Sequence, residues 1–286
     1  MKKIEQGMAF VAKKLALFSC PVCHSAFVGV NEGSASCKKG HSFDFSRKGT
    51  LYLLTHGLTS DYDDDQMWAS RRILQQAGLF KPITDEINSE LSSYKMLNIL
   101  DVGCGEGSTI QSLEQQRKNK DDSLIGFDIS KRAINLATQL ETNAFFCVAD
   151  LARLPFSDNC FDVLLDMFSP SSYEEFKRVL KKGGKLFKVV PNEGYLNELR
   201  HLLYVKDDPR HNYSNKNVVA LFEKNFPKMI VKRLKYTLPL NADLFNNLIY
   251  MTPLHWGATQ EKIAESLKRG LDNVTVDVSL LIAERE

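Results

Sequence analysis

Between Met96 and Val190 the chain alternates short apolar runs with stretches of helical period. Ile99, Leu100 and Val102 make the first run, and Leu124–Phe127, Phe145–Ala149 and Phe161–Leu165 make the next three. Runs of this length, each ending in a glycine or an acid before an amphipathic stretch, read as buried parallel strands joined by helices. Helices are predicted from near Ser108, over Ser130–Leu140 with Ser130 as N-cap, and over Glu174–Leu180. A Lys181-Lys182-Gly183-Gly184 turn then leads to another strand. Gln66–Gln76 reads as a helix ahead of the first strand, carrying Arg71 and Arg72. Beyond Val190, the segments Glu193–Tyr204, Leu244–Met251 and Gln260–Leu267 are helix-like, and Lys206–Asn217 is polar and irregular. Met229–Leu238 and Val274–Ala283 read as a closing antiparallel pair of strands. The pattern is that of an α/β fold around one sheet.

The first run opens into a loop with Gly103, Gly105 and Gly107. Glycine there lets the backbone turn sharply and approach a ligand closely at the carboxyl end of a strand. The second run ends in Asp128, about 20 residues on, where a carboxylate can accept ribose hydroxyls. The third run ends in Asp150-Leu151 and the fourth in Asp166. A glycine loop alone is also compatible with a dinucleotide fold.

Ahead of this region, Cys20-Pro21-Val22-Cys23 and Cys37-Lys38-Lys39-Gly40-His41 stand 13 residues apart around a Gly- and Ser-rich loop. Two thiolates, then a thiolate and an imidazole, supply the four ligands of a closed tetrahedral zinc site: Cys20, Cys23, Cys37 and His41. His24 reads as an exposed neighbour. Phe27, Phe43, Phe45 and Tyr52 form the expected apolar patch of a segment too small for a core of its own, so the metal is expected to hold it folded. Cys104, Cys147 and Cys160 read as small buried hydrophobes in a chain with no read signal peptide.

Charge divides along the same line. The net charge is +2, yet residues 1–58 hold eight Lys/Arg against three acids, a balance of +5 that leaves −3 for the rest. We therefore place a zinc-binding module at 1–58 and a second domain at 59–286; the basic module either meets a polyanion, with Lys38, Lys39, Arg47 and Lys48 as the candidate contacts, or presents a solvated basic surface. The acidic run Asp61–Asp65 is expected to connect the two or to start a helix. No apolar run is long enough to span a bilayer, and a cytoplasmic protein is the expectation.

The glycine loop, the acids at 128 and 150, and Leu180-Lys181-x-Gly183-Gly184 together resemble the class I S-adenosylmethionine (SAM)-dependent methyltransferases. The resemblance implies a Rossmann-like, seven-stranded sheet closed by the terminal antiparallel pair. The Cys/His knuckle with Phe43-Asp44 and Lys48-Gly49, then Arg71-Arg72-x-x-Leu74-x-x-Ala77-Gly78-x-Phe80-x-Pro82, and the late Met251-Thr252-Pro253-x-x-Trp256 resemble more narrowly the RlmA/TlrB-type 23S rRNA (guanine-N1)-methyltransferases, over about Phe18–Glu284. What the resemblance implies is methylation of guanine N1 in a 23S rRNA hairpin, with SAM and zinc as cofactors and a homodimer as the assembly. For SAM it implies contacts from Gly103, Gly105 and Glu106, with Asp101 as polar support below the loop, Asp128 at the ribose, and Asp150 and Leu151 at the adenine. Phe80 and Tyr195 match cofactor-contacting positions, although histidine is expected in some relatives where Tyr195 stands. By topology Asp166 is the candidate acceptor for the N1 proton, with an interior structural aspartate as the equal alternative because the matching residue in relatives need not be acidic, and Phe168 is the candidate stacking face for an extruded base. Two other readings of the same residues are a small-molecule methyltransferase with a structural zinc knob and a catalytically silent RNA-binding protein.

Overall fold

The computed structural model describes residues 1–55, 64–118 and 120–286. The expected boundary at 58/59 and Asp61–Asp63 of the acidic run lie outside the described residues. The chain begins with helix α1 (Lys3–Lys13), which the hydrophobic pattern did not announce, followed by a three-stranded antiparallel sheet of β1 (Phe27–Asn31), β2 (Ser34–Cys37) and β3 (Ser42–Asp44). A two-residue strand, β4 (Leu51–Tyr52), leaves this module and enters the main sheet.

Helices α2 (Asp65–Gln76) and α3 (Lys81–Glu90) come next. Asp64 caps α2, accepting the Gln66 N–H at 2.9 Å. The alternating region then gives β5 (Asn98–Val102), α4 (Ser108–Arg117), β6 (Ser123–Asp128), α5 (Lys131–Ala137), β7 (Phe145–Val148), β8 (Phe161–Met167), α6 (Tyr173–Val179) and β9 (Leu180–Pro191). The chain finishes with α7 (Asn197–Leu203), α8 (Lys216–Asn225), β10 (Ile230–Pro239), α9 (Ala242–Met251), α10 (Gln260–Arg269) and β11 (Asn273–Glu284). Two expected boundaries move. The first turn after Val190 is not helical, because Leu196 adopts a φ of 52°, so α7 starts at Asn197. The Lys181–Gly184 turn is a bulge inside β9: Leu180 pairs with Phe161 and Lys185 with Val163, so four residues of β9 lie opposite one of β8.

The main sheet runs β10-β11-β9-β8-β5-β6-β7-β4. It has eight strands rather than the expected seven, because β4 pairs in parallel with β7 at its edge. The strand order reverses between β5 and β8, which leaves a crevice above their carboxyl ends.

The small N-terminal module does not fold around the metal alone. Phe18 is fully buried, with its ring centroid 5.7 Å from both Phe145 and Phe156, and Phe10 stacks on Phe145 at 5.3 Å. Phe27, Phe45 and Leu51 enter the same cluster, whereas Tyr52 points outward at 45% exposure and is not part of the expected patch. The backbone of α1 meets the loop before β4 at Gly7. A Cβ there would lie 2.1 Å from the Gly49 carbonyl oxygen, so only glycine allows this contact. Module and sheet therefore share one apolar core.

Candidate active site and metal centre

The crevice is built on the loop after β5. Gly103, Gly105 and Gly107 all take positive φ, at 64°, 55° and 85°. The carboxylate of Asp128 closes this loop against the end of β6, accepting the Gly105 N–H at 2.9 Å through Oδ2 and the Ser130 N–H at 2.8 Å through Oδ1. Burial raises its pKa, while those two N–H groups oppose the rise. Glu106 turns its side chain away from the crevice: Oε2 lies 3.0 Å from Arg72 Nε and accepts the Ser108 hydroxyl at 2.7 Å. Arg72 also donates to the Glu106 carbonyl at 2.9 Å, so α2 clamps the loop's backbone.

Asp101 sits below the loop at 1% exposure, and its Oδ2 has no hydrogen-bond partner among the described residues. Burial pushes its pKa up to about 8, and the nearby Asp128 charge adds to the rise. A buried polar atom without a partner beside a glycine cradle is what a site shaped for a polar ligand presents.

A cleft of about 600 Å³ opens above the strand ends, lined by Trp68 and Arg71 of α2, Gly103, Asp128, Asp150, Leu151 and the Met167–Ser172 segment. Asp150 spends one oxygen on the Ala152 N–H at 2.8 Å, capping the turn that starts at Leu151. Trp68 lies directly over the loop: a Cβ on Gly105 would meet its ring at 2.8 Å, and its buried Nε1 has no partner among the described residues. Trp68 was not singled out from the sequence. The signal was its spacing with Arg71 and Gln75, which places all three on one helical face.

Three aromatic rings form a column beside the loop. Phe80 lies 5.0 Å from Phe168, and Phe168 stacks on Tyr195 at 5.4 Å. Phe168 holds a φ of 59°, uncommon for a bulky residue, at the edge of the cleft. Phe80 and Tyr195 both pack against its ring, and the half-buried side chain walls the cleft.

Of the two readings of Asp166, the interior structural one matches its surroundings. It is fully buried and does not line the cleft. Its Oδ2 accepts from Lys188 Nζ at 2.8 Å and from the Ser171 hydroxyl at 2.6 Å. Lys188 in turn donates to the Ser169 carbonyl at 3.1 Å, and Ser169 packs against Gly103. The Asp166 Oδ2 thus fixes the Ser169–Ser171 segment, while its buried Oδ1 has no partner among the described residues.

At the module, Cys20, Cys23, Cys37 and His41 bring their ligand atoms within 4.8 Å of one another. Cys23 and Cys37 Sγ are 3.7 Å apart, and His41 Nδ1 is 3.5 Å from the Sγ of both Cys20 and Cys37. Thiolates held about 2.3 Å from a zinc ion stand roughly 3.8 Å apart on a tetrahedron, close to the Cys23–Cys37 separation, so the donor set fits that metal. His24 is not in the group. Lys38, Lys39, Arg47 and Lys48 are all exposed. Lys48 shares a depression with Lys3, Lys13 and Phe145, near the amino end of β7 and so at the opposite end of the sheet from the cleft.

A methyltransferase-domain family model matches residues 93–238, and an RlmA N-terminal zinc-ribbon model matches residues 18–55. The chain is 38% identical over 273 residues to YxjB of Bacillus subtilis (strain 168), provisionally named a 23S rRNA (guanine-N(1)-)-methyltransferase, with 93% of this chain and 96% of that one covered. It is 26% identical to the 23S rRNA (guanine(748)-N(1))-methyltransferase of Streptomyces fradiae, covering 92% and 95% of the two chains.

Proposed function

The chain belongs to the 23S rRNA (guanine-N1)-methyltransferase family, and from that membership we propose that it uses SAM to methylate N1 of a guanine in a hairpin of 23S rRNA. The observation that carries the reading is the fusion of two sites in one fold. A Cys3His module is built into the edge of the sheet whose strand ends form the glycine-loop cleft.

SAM supplies a methyl group on a sulfonium, already activated for transfer, so the protein's work is positioning and exclusion of water. The backbone at Gly103, Gly105 and Glu106 holds the methionine end, with Asp101 below it. Asp128 keeps lone pairs for ribose hydroxyls after bonding the Gly105 and Ser130 amides. Asp150 and the Leu151 backbone flank the adenine side. Phe80, Phe168 and Tyr195 form the apolar wall beside the reacting groups. Zinc on Cys20, Cys23, Cys37 and His41 fixes the loop that carries Lys38 and Lys39, which we assign to the hairpin's phosphates together with Arg47 and Lys48. RNA readers commonly take unpaired bases from loops, where N1 is accessible. The substrate sets the location as cytoplasmic, and among the described residues no helix is long and apolar enough to cross a membrane. The family resemblance extends the proposal to a homodimer, which sedimentation would read.

The test is to incubate purified protein with protein-free 23S rRNA and SAM, then read reverse-transcription arrest. A methyl on N1 blocks the pairing edge, so one new SAM-dependent stop in a hairpin loop is expected. Transfer to metabolites with no stop in the RNA would defeat the reading.

A further inference from the structure

The two adjacent arginines of α2 are in different situations. Arg72 is neutralised by Glu106 at 3.0 Å. Arg71 forms no ion pair among the described residues; its guanidinium lies 5.8 Å from the centroid of the Trp68 ring, which supports it from one side. Arg71 lines both the main cleft and the narrower recess running under the glycine loop to Asp101 and Phe80. It is the one cationic side chain lining either of them among the described residues. The other acidic groups there are Asp128 and Asp150, with Asp101 held protonated by burial and Glu106 already paired to Arg72.

This charge distribution matches the tail of the cofactor and little else. SAM carries a sulfonium and an ammonium, which acidic groups such as Asp128 and Asp150 can face, and a single α-carboxylate that needs a cation. We propose that Arg71 receives that carboxylate and makes the cleft selective for ligands bearing an amino-acid tail. The guanidinium is planar, permanently charged and able to donate two parallel N–H bonds to a carboxylate. It stands on the helix that also clamps the loop through Arg72, so the two arginines divide the work: Arg72 shapes the cradle and Arg71 reads what lies in it. The inference rests on the SAM-binding reading above and adds to it the residue that discriminates among adenosine ligands.

The experiment is titration calorimetry, with competition where affinity is weak, of the full chain with S-adenosylhomocysteine and with 5′-methylthioadenosine, which lacks the amino-acid tail. Arg71→Ala is expected to lose about 10- to 100-fold in affinity for S-adenosylhomocysteine, as for loss of a charged hydrogen-bonded pair. Its affinity for 5′-methylthioadenosine should stay unchanged, which also shows that the variant is folded. Arg71→Lys should fall between, keeping charge but not the two-pronged geometry. Unchanged binding of S-adenosylhomocysteine by Arg71→Ala would overturn the assignment. So would an equal loss for both ligands, which would make Arg71 a support for the whole pocket. Wild-type protein binding neither ligand would instead overturn the SAM reading on which this one stands.

Discussion

Replacing Asp101 by asparagine should change how the ligand-free protein's stability depends on pH, and by a calculable amount. Asp101 is 1% exposed, its Oδ2 lacks a partner, and its pKa stands at about 8. The groups facing it are Asp128 at the end of β6, Asp166 on β8, Glu106 in the loop and Arg71 on α2; only the last favours its charge. In the unfolded chain the same carboxyl ionises near its ordinary value of 3.8. Between those two values the folded state holds a proton that the unfolded state has released, so stability falls as pH rises through that window. From pH 6 to pH 8 the expected loss is a factor of roughly 50, or about 2 kcal/mol. Asparagine cannot titrate, and any constant cost of its amide cancels when the two pH values are compared. Urea unfolding of wild type and Asp101→Asn at pH 6, 7 and 8 without ligand should therefore show the variant gaining about 2 kcal/mol on wild type across the range. Parallel pH profiles for the two proteins would refute the argument, because they would mean that Asp101 is ionised in the folded state or partnered there.

Three further outcomes follow from the same geometry. Metal analysis should find about one zinc per chain, and chelation or Cys37→Ser should lower the melting temperature of the whole chain in one transition, since Phe18 and Phe45 join the module to Phe145 and Phe156; a separate early transition confined to the module would speak against the shared core. Asp166→Asn should cost on the order of 3–5 kcal/mol in thermal or urea unfolding by leaving the buried Lys188 ammonium without its counterion, yet the pH profile of methyl transfer should keep its shape; loss of its acidic limb would restore Asp166 as the base. Replacing Lys38, Lys39, Arg47 and Lys48 together by alanine should weaken hairpin binding and flatten its salt dependence, with affinity for S-adenosylhomocysteine unchanged; filter binding across a salt series that shows wild-type behaviour would make the basic patch a solubilising surface.

What could be read from the chain, and what could not, divides along physical lines. The strand runs around Ile99, Leu124, Phe145 and Phe161 were legible because a parallel strand buried on both faces is a continuous apolar run, and Cys20, Cys23, Cys37 and His41 because ligand spacing is local. The eighth strand was not: Leu51-Tyr52 is two residues long, and its place beside Cys147 and Val148 depends on a contact nearly a hundred residues away. Helix α1 escaped notice because its apolar side is short and its fit onto the module rests on Gly7 meeting Gly49. Asp166 looked like a catalytic group because topology brings the end of β8 to the cleft, but the pleat turns its side chain toward Lys188, two strands' worth of packing that no spacing rule contains. Trp68 and Arg71 lay in plain view on a helical face; what the sequence could not say was which of two neighbouring arginines Glu106 would take.

The central claim, that this chain methylates guanine N1 in 23S rRNA, is tested most directly by mass mapping of 23S rRNA from cells with and without the gene. The account predicts one guanine, in a hairpin loop, that carries a single methyl group at N1 in the first sample and none in the second, with the methyl restored by the intact gene and not by a Gly105→Val copy, in which the new side chain collides with Trp68. Identical methylation maps from the two samples, under conditions where the protein is expressed, would contradict it.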